Sequence, residues 1–433
     1  TERMSNMNIN DKFCLTPQTI VIGDEKGTKI YQVEKGGLKK YNCNIDAYNV
    51  LFLLQKGLCL NDIINLSARK NCRKKIIDFL SDLENKKIIM HGKAEKENRQ
   101  IRRVDNNADP TLSRIFLSVT NTCNLKCNHC YNVRIKRPLF MDIVVIEKIL
   151  EQGYRMGLKQ VDITGGECFL HPQILEILKL ATDYGMLINI YTNGTLINEN
   201  LVKALKKFRI MNIIVSLDSL DDSVHDSFRG VIGCHLKTMN TLQIIKNSAL
   251  NLRINITAMQ ENESEMERMI DYIYNELMAE SIVIAPILES GRGTQSFCMS
   301  TTIPQICGYQ KMIYKKLDER IAVSKLNSRY KAHCGVGNSM LYIDTDYTVS
   351  LCPTLTMYED KAFLLGNLMK DELKTVFSAM HERGFVEKVL CKNTTECEYA
   401  DSCRGGCRSR AFLQNKDVSD KDELMCYFYK NCT

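Results

Sequence analysis

Strand-like and helix-like runs alternate through the middle of this chain. Helical stretches such as residues 142–155 and 263–279 separate the strand-like runs. Consecutive strands joined by helices lie parallel with right-handed crossovers, so the repeat predicts an α/β fold on a parallel sheet. The strand-like runs cover residues 115–120, 160–164, 187–192, 213–218, 253–258 and 281–286.

Length and composition narrow the class of protein. The chain has 433 residues, 44% of them hydrophobic and 25% charged, which predicts a globular protein of two or three domains. Because it shows no run of about eighteen apolar residues and no secretory signal pattern, we expect a cytoplasmic protein without a membrane partner. The net charge of +7 is modest, so we expect no nucleic-acid partner.

Cysteine is abundant and clustered. Ten of the nineteen cysteines fall at residues 123–130 and 334–426, which favours metal or redox sites over disulfides. Cys123, Cys127 and Cys130 follow the first strand at C-x3-C-x2-C spacing. Three thiolates can hold a [4Fe–4S] cluster with one iron left open for a small ligand. Zinc would want a fourth ligand that the loop lacks, and three structural cysteines are the remaining alternative.

This loop and its context resemble the radical S-adenosylmethionine (SAM) superfamily over residues 111–293. The resemblance implies a partial (β/α)6 TIM-like barrel, with catalytic residues Cys123, Cys127 and Cys130 holding the cluster. It further implies that SAM binds the open iron and is split to methionine and a 5′-deoxyadenosyl radical. His129 stands where many members have an aromatic residue.

Further motifs resemble the SAM-binding positions of this superfamily. Gly165 and Gly166 would let the backbone approach SAM, and the Glu167 carboxylate would accept from its ammonium group. Ser216 and Asp218 share a strand face and are expected to reach the ribose and the methionine part. The resemblance thus implies cofactor binding by His129, Gly165, Gly166, Glu167, Asn193, Ser216, Asp218 and Arg229, with Thr257 and Pro286 beside the adenine.

Two side-chain roles stay open in this region. Arg229 suits the SAM carboxylate, but Arg229 and Asp218 could instead pair with each other and fix a loop. Cys168 stands where the family often has proline, and we expect a small buried residue there.

The C-terminal cysteines resemble the SPASM extension, which we assign to residues 334–433 after a bridging region at 296–333. The resemblance implies two auxiliary [4Fe–4S] clusters and a hairpin within residues 341–352. Tyr347 stands where the family has glycine, and Thr394 where it has cysteine. Structural zinc is the alternative. The implied ligands are Cys334, Cys352 and Cys407 for the first cluster, and Cys391, Cys397, Cys403 and Cys426 for the second.

The first auxiliary set lacks a fourth ligand. Cys298 or Cys307 could supply it, or the position is open to a cysteine of the substrate. Cys432 is either spare or a rival to Cys426.

Residues 11–95 predict a winged-helix unit of three strands, three helices and a returning strand, followed by a linker at 96–110. The unit resembles the peptide-recognition element of ribosomal-peptide maturases, in which a leader peptide adds as a strand. The basic residues that begin the third helix, including Arg69 and Lys70, also suit DNA, and a structural cap is a third alternative. By the resemblance the leader contacts Leu38, Lys39, Lys40, Tyr41, Lys74 and Ile77.

Together these resemblances predict a radical SAM maturase that cross-links a ribosomally made precursor peptide, served by flavodoxin or ferredoxin as external reductant. A cysteine thioether is the expected product, with a carbon–carbon or carbon–oxygen bond as the alternative. Formylglycine formation in sulfatases is a weaker alternative, because those enzymes lack the adaptor. A DNA-binding iron–sulfur sensor is the non-enzymatic alternative.

Overall fold

The computed structural model describes residues 7–8, 10–24, 27–66, 73–93, 99–104, 111–320, 334–358, 363–385, 391–403 and 405–431. These residues contain a nine-stranded, a four-stranded and a two-stranded sheet. None of the helices in these ranges is long and apolar enough to cross a membrane.

The N-terminal unit, which we call the adaptor, is a small α+β body. Its four-stranded sheet has the order β4-β3-β2-β6, and β1 pairs with β5 in a separate ribbon. The elements are β1 (Phe13–Leu15), β2 (Thr19–Asp24), β3 (Gly27–Glu34), β4 (Gly37–Cys43), α1 (Ile45–Gln55), α2 (Leu60–Leu66), α3 (Arg73–Asn85), β5 (Ile89–His91) and β6 (Ile101–Arg103).

The segment predicted as a linker contains a strand. Residues 101–103 form β6, which pairs in parallel with β2 from Val21 to Gly23. A three-residue strand with two arginines carries no periodic apolar signal, so sequence patterning could not detect it. The adaptor therefore extends past residue 95. Arg69 and Lys70 lie outside the described residues.

β4 forms one edge of the adaptor sheet. It pairs with β3 from Gly37 to Cys43, and no strand in the described ranges pairs with its other side. The end of α3 lies close by, since Lys86 Nζ is 5.4 Å from the ring centre of Tyr41. β4 and the end of α3 thus lie near each other at the open edge of the sheet, and we call the face between them the adaptor groove.

Six parallel strands follow in sequence order, as the βα repeat predicted. Five of the six predicted strands match the observed bounds to within two residues, and the fourth begins three residues earlier than predicted. The partial barrel comprises β7 (Arg114–Ser118), α4 (Ile143–Arg155), β8 (Gln160–Thr164), α5 (Ile174–Asp183), β9 (Leu187–Thr192), α6 (Glu199–Leu205), β10 (Ile210–Ser216), α7 (Asp222–Arg229), α8 (Cys234–Lys246), β11 (Leu252–Ala258), α9 (Met266–Asp271), β12 (Ser281–Pro286), α10 (Gly293–Ser296) and α11 (Ile303–Arg320).

The adaptor packs against the amino-terminal end of the barrel strands. Ile20 and Val33 of its sheet share a buried cluster with Leu187 and Met211. Arg209 is almost fully buried there, and its Nε donates to the Pro17 carbonyl at 2.9 Å. The opposite end of the strands, where the candidate site lies, is left free by this contact.

The C-terminal region continues the barrel sheet. β13 pairs in parallel with β7, and the hairpin to β14 and then β15 adds antiparallel strands. At the turn, Tyr347 takes a left-handed φ of 66°, and its hydroxyl accepts from the Asp142 backbone at 3.0 Å. The elements are β13 (Met340–Ile343), β14 (Thr348–Ser350), α12 (Pro353–Thr356), β15 (Leu364–Asn367), α13 (Leu373–Glu382), α14 (Ala400–Cys403), α15 (Arg408–Asn415) and α16 (Glu423–Asn431).

Candidate active site

The cluster loop, residues 123–130, follows β7 and lies against the end of α7. The backbone N–H of Lys126 donates to the Arg229 carbonyl at 3.0 Å, and that of Asn128 to the Phe228 carbonyl at 2.9 Å. Gly230 makes this approach possible, because a Cβ there would lie 2.7 Å from the Lys126 carbonyl oxygen. The three cysteines are thus held by backbone contacts on one side.

A cavity of about 520 Å³ opens at the carboxyl ends of the strands. None of the described residues that line it is Asp or Glu. Its lining includes Cys123, Cys127, His129, Cys130, Gly165, Gly166, Asn193, Ser216, Arg229, Thr257 and Pro286.

Two donors point at the cysteine sulfurs. Arg229 Nη1 lies 3.8 Å from Cys127 Sγ, and Asn193 Nδ2 lies 3.9 Å from Cys123 Sγ. Burial raises the pKa of the Cys127 thiol, and the Arg229 guanidinium opposes that rise. Burial prevails, since the pKa of Cys127 stays raised and that of Cys123 is raised to about 11, so both thiols are protonated at pH 7 until iron binds them.

The two glycines after β8 allow close backbone packing. Gly166 donates its N–H to the Thr120 carbonyl at 2.7 Å. A Cβ on Gly166 would lie 2.4 Å from the Thr122 carbonyl oxygen, so a larger residue would push against the start of the cluster loop.

Glu167 lies behind the cavity lining, and its predicted contact with the SAM ammonium group stays a prediction. Its side chain is fully buried, and its carboxylate accepts from the Asn193 N–H at 2.7 Å and the Thr192 hydroxyl at 2.9 Å. Burial raises its pKa, and these donors oppose the rise. Glu167 therefore positions the loop that carries Asn193 and does not face the cavity, because its acceptor oxygens are used within the wall.

Asp218 is likewise fully buried and does not line the cavity, and its predicted contact with SAM stays a prediction. Its carboxylate accepts from Arg229 Nε at 2.7 Å and from the Thr257 N–H at 2.9 Å. Burial opposes ionisation of this carboxyl, but Arg229 holds its pKa below the usual value. The alternative in which Asp218 and Arg229 pair with each other is the one observed.

Ser216 and Arg229 do line the cavity, as does His129. The His129 ring stacks on Phe228 with centres 4.3 Å apart, and its Nδ1 is buried without a hydrogen-bond partner. Burial lowers the pKa of His129 to about 4, so the ring is neutral at pH 7. Cys168 is fully buried, as expected of a small core residue.

Arg292 is a cavity residue that the sequence motifs did not predict. It lines the cavity, its Nε donates to the Cys127 carbonyl at 2.9 Å, and its N–H donates to the Cys130 carbonyl at 2.9 Å. The loop after β12 thus covers the cluster loop. The Gly291-Arg292-Gly293 string at the end of the last barrel strand is the signal that could have indicated it.

The first auxiliary set comes together around an arginine. The Cys352 thiol is near enough to the thiols of Cys334 and Cys407 to interact with them electrostatically. Burial raises the pKa of Cys352 to about 12. Arg410 interacts with the charges of Cys334 and Cys407 while its Nη2 donates to Asp422 at 2.6 Å. This places a fixed positive charge beside the three thiols.

The second auxiliary set also assembles. The Cys426 thiol is near enough to the thiols of Cys391 and Cys397 to interact with them electrostatically. The Cys403 thiol interacts with that of Cys426 in the same way. That Cys391 is a ligand, although its spacing departs from the family pattern, stays a prediction.

Cys298 and Cys307 are the two candidates for the missing fourth ligand of the first set. Cys307 is buried between α11 and α16 with its thiol 3.9 Å from the Leu424 carbonyl, and Cys298 is exposed with its thiol 4.0 Å from the Gln295 carbonyl. Cys432 lies outside the described residues.

The residues present fit an iron–sulfur cluster and SAM. Three thiols with amide and guanidinium donors at their sulfurs line one cavity that also offers an unpartnered ring nitrogen. Within the described ranges, no three His, Cys, Asp or Glu side chains converge closely enough to share one metal ion. The thiols therefore lie too far apart to bind one metal ion, and a larger group such as a cluster would have to fill the space between them.

Comparison with known proteins gives the same class. Residues 117–273 match the Radical SAM superfamily, so the chain contains a radical SAM domain and is an enzyme with SAM and an iron–sulfur cluster as cofactors. The subtilosin biosynthesis protein AlbA of Bacillus subtilis is 26% identical over 78% of this chain and 76% of its own length. The AdoMet-dependent heme synthase of Methanosarcina barkeri is 23% identical over 72% of this chain and 96% of its own length.

One solved structure matches nearly the whole chain. Streptococcus suis SuiB bound to its precursor peptide SuiA superposes with a TM-score of 0.64 at 15% identity, covering 96% of this chain and 99% of SuiB. Because the match covers 96% of this chain, it includes the adaptor, and the adaptor is part of the fold that the two proteins share.

Proposed function

We propose that this enzyme modifies a ribosomally made precursor peptide whose leader is held by the adaptor. The observation that carries the proposal is the open edge of β4 beside α3, on a body packed against the barrel. An unpaired edge strand binds an extended peptide through main-chain hydrogen bonds. SuiB, which shares this fold, is bound to a precursor peptide.

The predicted leader contacts belong to the two elements beside this groove, β4 and α3. Leu38 is 39% exposed on β4, beside Lys39, Lys40 and Tyr41. Lys74 is exposed at the start of α3, and Ile77 is half-buried one turn later. Apolar pockets with a basic rim suit a leader that carries acidic residues.

The bond that we propose is a thioether from a substrate cysteine. Cys334, Cys352 and Cys407 offer three thiols where a [4Fe–4S] cluster takes four ligands, and a substrate thiol would complete the set. Joining carbon to sulfur breaks a C–H and an S–H bond: one hydrogen atom would pass to the adenosyl radical, the thiol proton to solvent, and the remaining electron to an auxiliary cluster. Cluster and SAM together supply, when bound and reduced, the radical that removes the hydrogen from carbon.

This chain's own residues would hold and orient these groups. Cys123, Cys127 and Cys130 would ligate the first cluster, while Arg229, Arg292 and Asn193 would orient SAM and keep the loop in place. The second set of cysteines would hold a second auxiliary cluster.

The electron must come from an external carrier. Ile232 is 96% exposed and Leu236 is 65% exposed at the start of α8, next to the exposed lysines Lys126 and Lys237. Beneath them, Cys234 packs with Leu125 and Cys127 of the cluster loop. We propose that flavodoxin or ferredoxin, which carry acidic surfaces, docks on this reductant face (Lys126, Ile232, Leu236, Lys237).

The test is mass spectrometry of a candidate precursor, the peptide encoded by a short reading frame beside the gene, after incubation with reduced, reconstituted enzyme and SAM. A thioether removes two hydrogens and blocks alkylation of the cysteine, whereas a carbon–carbon or carbon–oxygen bond leaves the thiol free. Formylglycine would remove the sulfur.

Two variants separate the steps. Cys127→Ala should release no 5′-deoxyadenosine, while Cys352→Ala should still release it but yield no cross-link. An unmodified peptide together with a shifted DNA probe would overturn the proposal in favour of a sensor.

A further inference from the structure

The barrel lumen below the cavity contains an arginine that the reaction chemistry does not use. Along β11 the residues Leu252, Ile254 and Ile256 are buried, whereas Arg253 and Asn255 alternate with them on the more open face. Asn255 lines the cavity, and Arg253 lies two residues earlier on the same face of the strand, one layer beneath that lining.

The carboxylate of Asp162, which is near this arginine, already forms an ion pair with Arg114. Asp162 on β8 is fully buried and accepts from Arg114 Nε at 2.7 Å. It also accepts from Gln160 Nε2 at 2.7 Å and from Asn189 Nδ2 at 2.9 Å. Asp162 is therefore saturated by donors from its own strand and its two neighbours.

Arg253 has no such partner. Its Nε is buried without a hydrogen bond, and no carboxylate in the described part of the chain forms an ion pair with it. Burial raises the pKa of the nearby Tyr191 to about 12, while the charges of Arg114 and Arg253 act against that rise. The lumen thus holds two guanidinium groups against one carboxylate.

We propose that Arg253 binds a side-chain carboxylate of the substrate, an Asp or Glu in the peptide segment that enters the lumen. The planar guanidinium pairs with a carboxylate through two parallel hydrogen bonds, which fixes orientation as well as charge. Arg229 and Arg292, at the mouth of the cavity beside the cluster loop, are the groups left for the SAM carboxylate. The inference rests on the proposed peptide-modifying function and names the chemistry of its substrate.

The test measures binding, not turnover. Blocked synthetic pentapeptides with one cysteine and one aspartate at a series of spacings are titrated into the unreduced, reconstituted full chain with SAM present, next to their asparagine counterparts. At one spacing or more, we expect the wild-type protein to bind the aspartate peptide about tenfold more tightly or better.

Variants locate the preference. Arg253→Gln should bind both peptides equally and Arg253→Lys should keep part of the preference, while SAM affinity and cluster absorbance stay unchanged. Arg155→Gln, at a site on α4 that is 74% exposed, is the matched control and should behave as wild type.

Equal affinity for the two peptides in the wild-type protein would overturn the proposal, as would no binding of the aspartate peptide up to about 5 mM. A preference that survives Arg253→Gln, or a loss of SAM affinity in that variant, would overturn it too. The binding experiment does not require a cross-link to form. A failure of the Arg253 proposal can therefore be distinguished from a failure of the proposed maturase function.

Discussion

Arg229 and Asp218 form a buried ion pair, in which Arg229 Nε donates to Asp218 Oδ2 at 2.7 Å. The same guanidinium places Nη1 3.8 Å from Cys127 Sγ. One residue therefore ties α7 both to the loop after β10 and to the cluster loop, and the pair fixes the cavity wall from behind.

Removing the carboxylate should cost much of the stability of this region. Asp218→Ala leaves a buried guanidinium without its partner, and we expect the free energy of unfolding to fall by about 3–5 kcal/mol. Urea unfolding of the metal-free chain measures the change. Glu151→Ala, which breaks the exposed pair with Arg155, should cost about 0–1 kcal/mol, and equal losses in the two variants would contradict the structural role of Asp218.

Gly166→Ala should disable the site without unfolding the chain. The added Cβ would meet the Thr122 and Asn121 carbonyl oxygens at 2.4 and 2.6 Å and displace the start of the cluster loop. We expect 5′-deoxyadenosine release to fall about a hundredfold, since small misplacements of reacting groups cost that much. Gly308→Ala, with open space around its Cβ, is the control, and a Gly166→Ala enzyme with wild-type turnover would show that the loop can yield.

The adaptor groove should bind the leader through apolar contact. In Ile77→Asp a charge replaces a half-buried side chain beside β4, so precursor affinity should drop about tenfold or more, as fluorescence anisotropy of the labelled precursor would report. Peptide-independent SAM cleavage should stay unchanged. Lys75→Glu alters charge two residues away on the same helix; if it weakens binding as much as Ile77→Asp, the contact is electrostatic and the groove assignment is wrong.

The reductant face should matter only for protein electron donors. Ile232→Glu places a negative charge on the surface that we assign to an acidic carrier, so SAM cleavage driven by flavodoxin, its reductase and NADPH should slow about tenfold. Cleavage driven by dithionite should not change. Val144→Glu, at a residue 69% exposed on α4, is the matched control; equal slowing with both reductants would place the defect in the cluster itself.

The parallel sheet was predictable because its strands are buried apolar runs whose length and spacing carry the signal. Glu167 and Asp218 were not, since a sequence shows a carboxylate but not the Asn193 and Arg229 groups that saturate it in the fold. Tyr347 departs from the family glycine and still takes the left-handed turn, where its hydroxyl accepts from the Asp142 backbone. That compensating contact lies 205 residues away in sequence and leaves no local pattern.

The pairing of β13 with β7 also limits how such enzymes can be recombined. Met340 to Ile343 stand beside Arg114 to Leu117, so what would be an outer strand of the barrel is an interior strand of a larger sheet. A chimaera that took its C-terminal third from a relative would have to import a strand matched to β7 in side-chain volume as well as in register. A workable breakpoint therefore lies after β15, beyond Asn367, where the cysteine-bearing segments from Cys391 onward can be exchanged against an unaltered sheet.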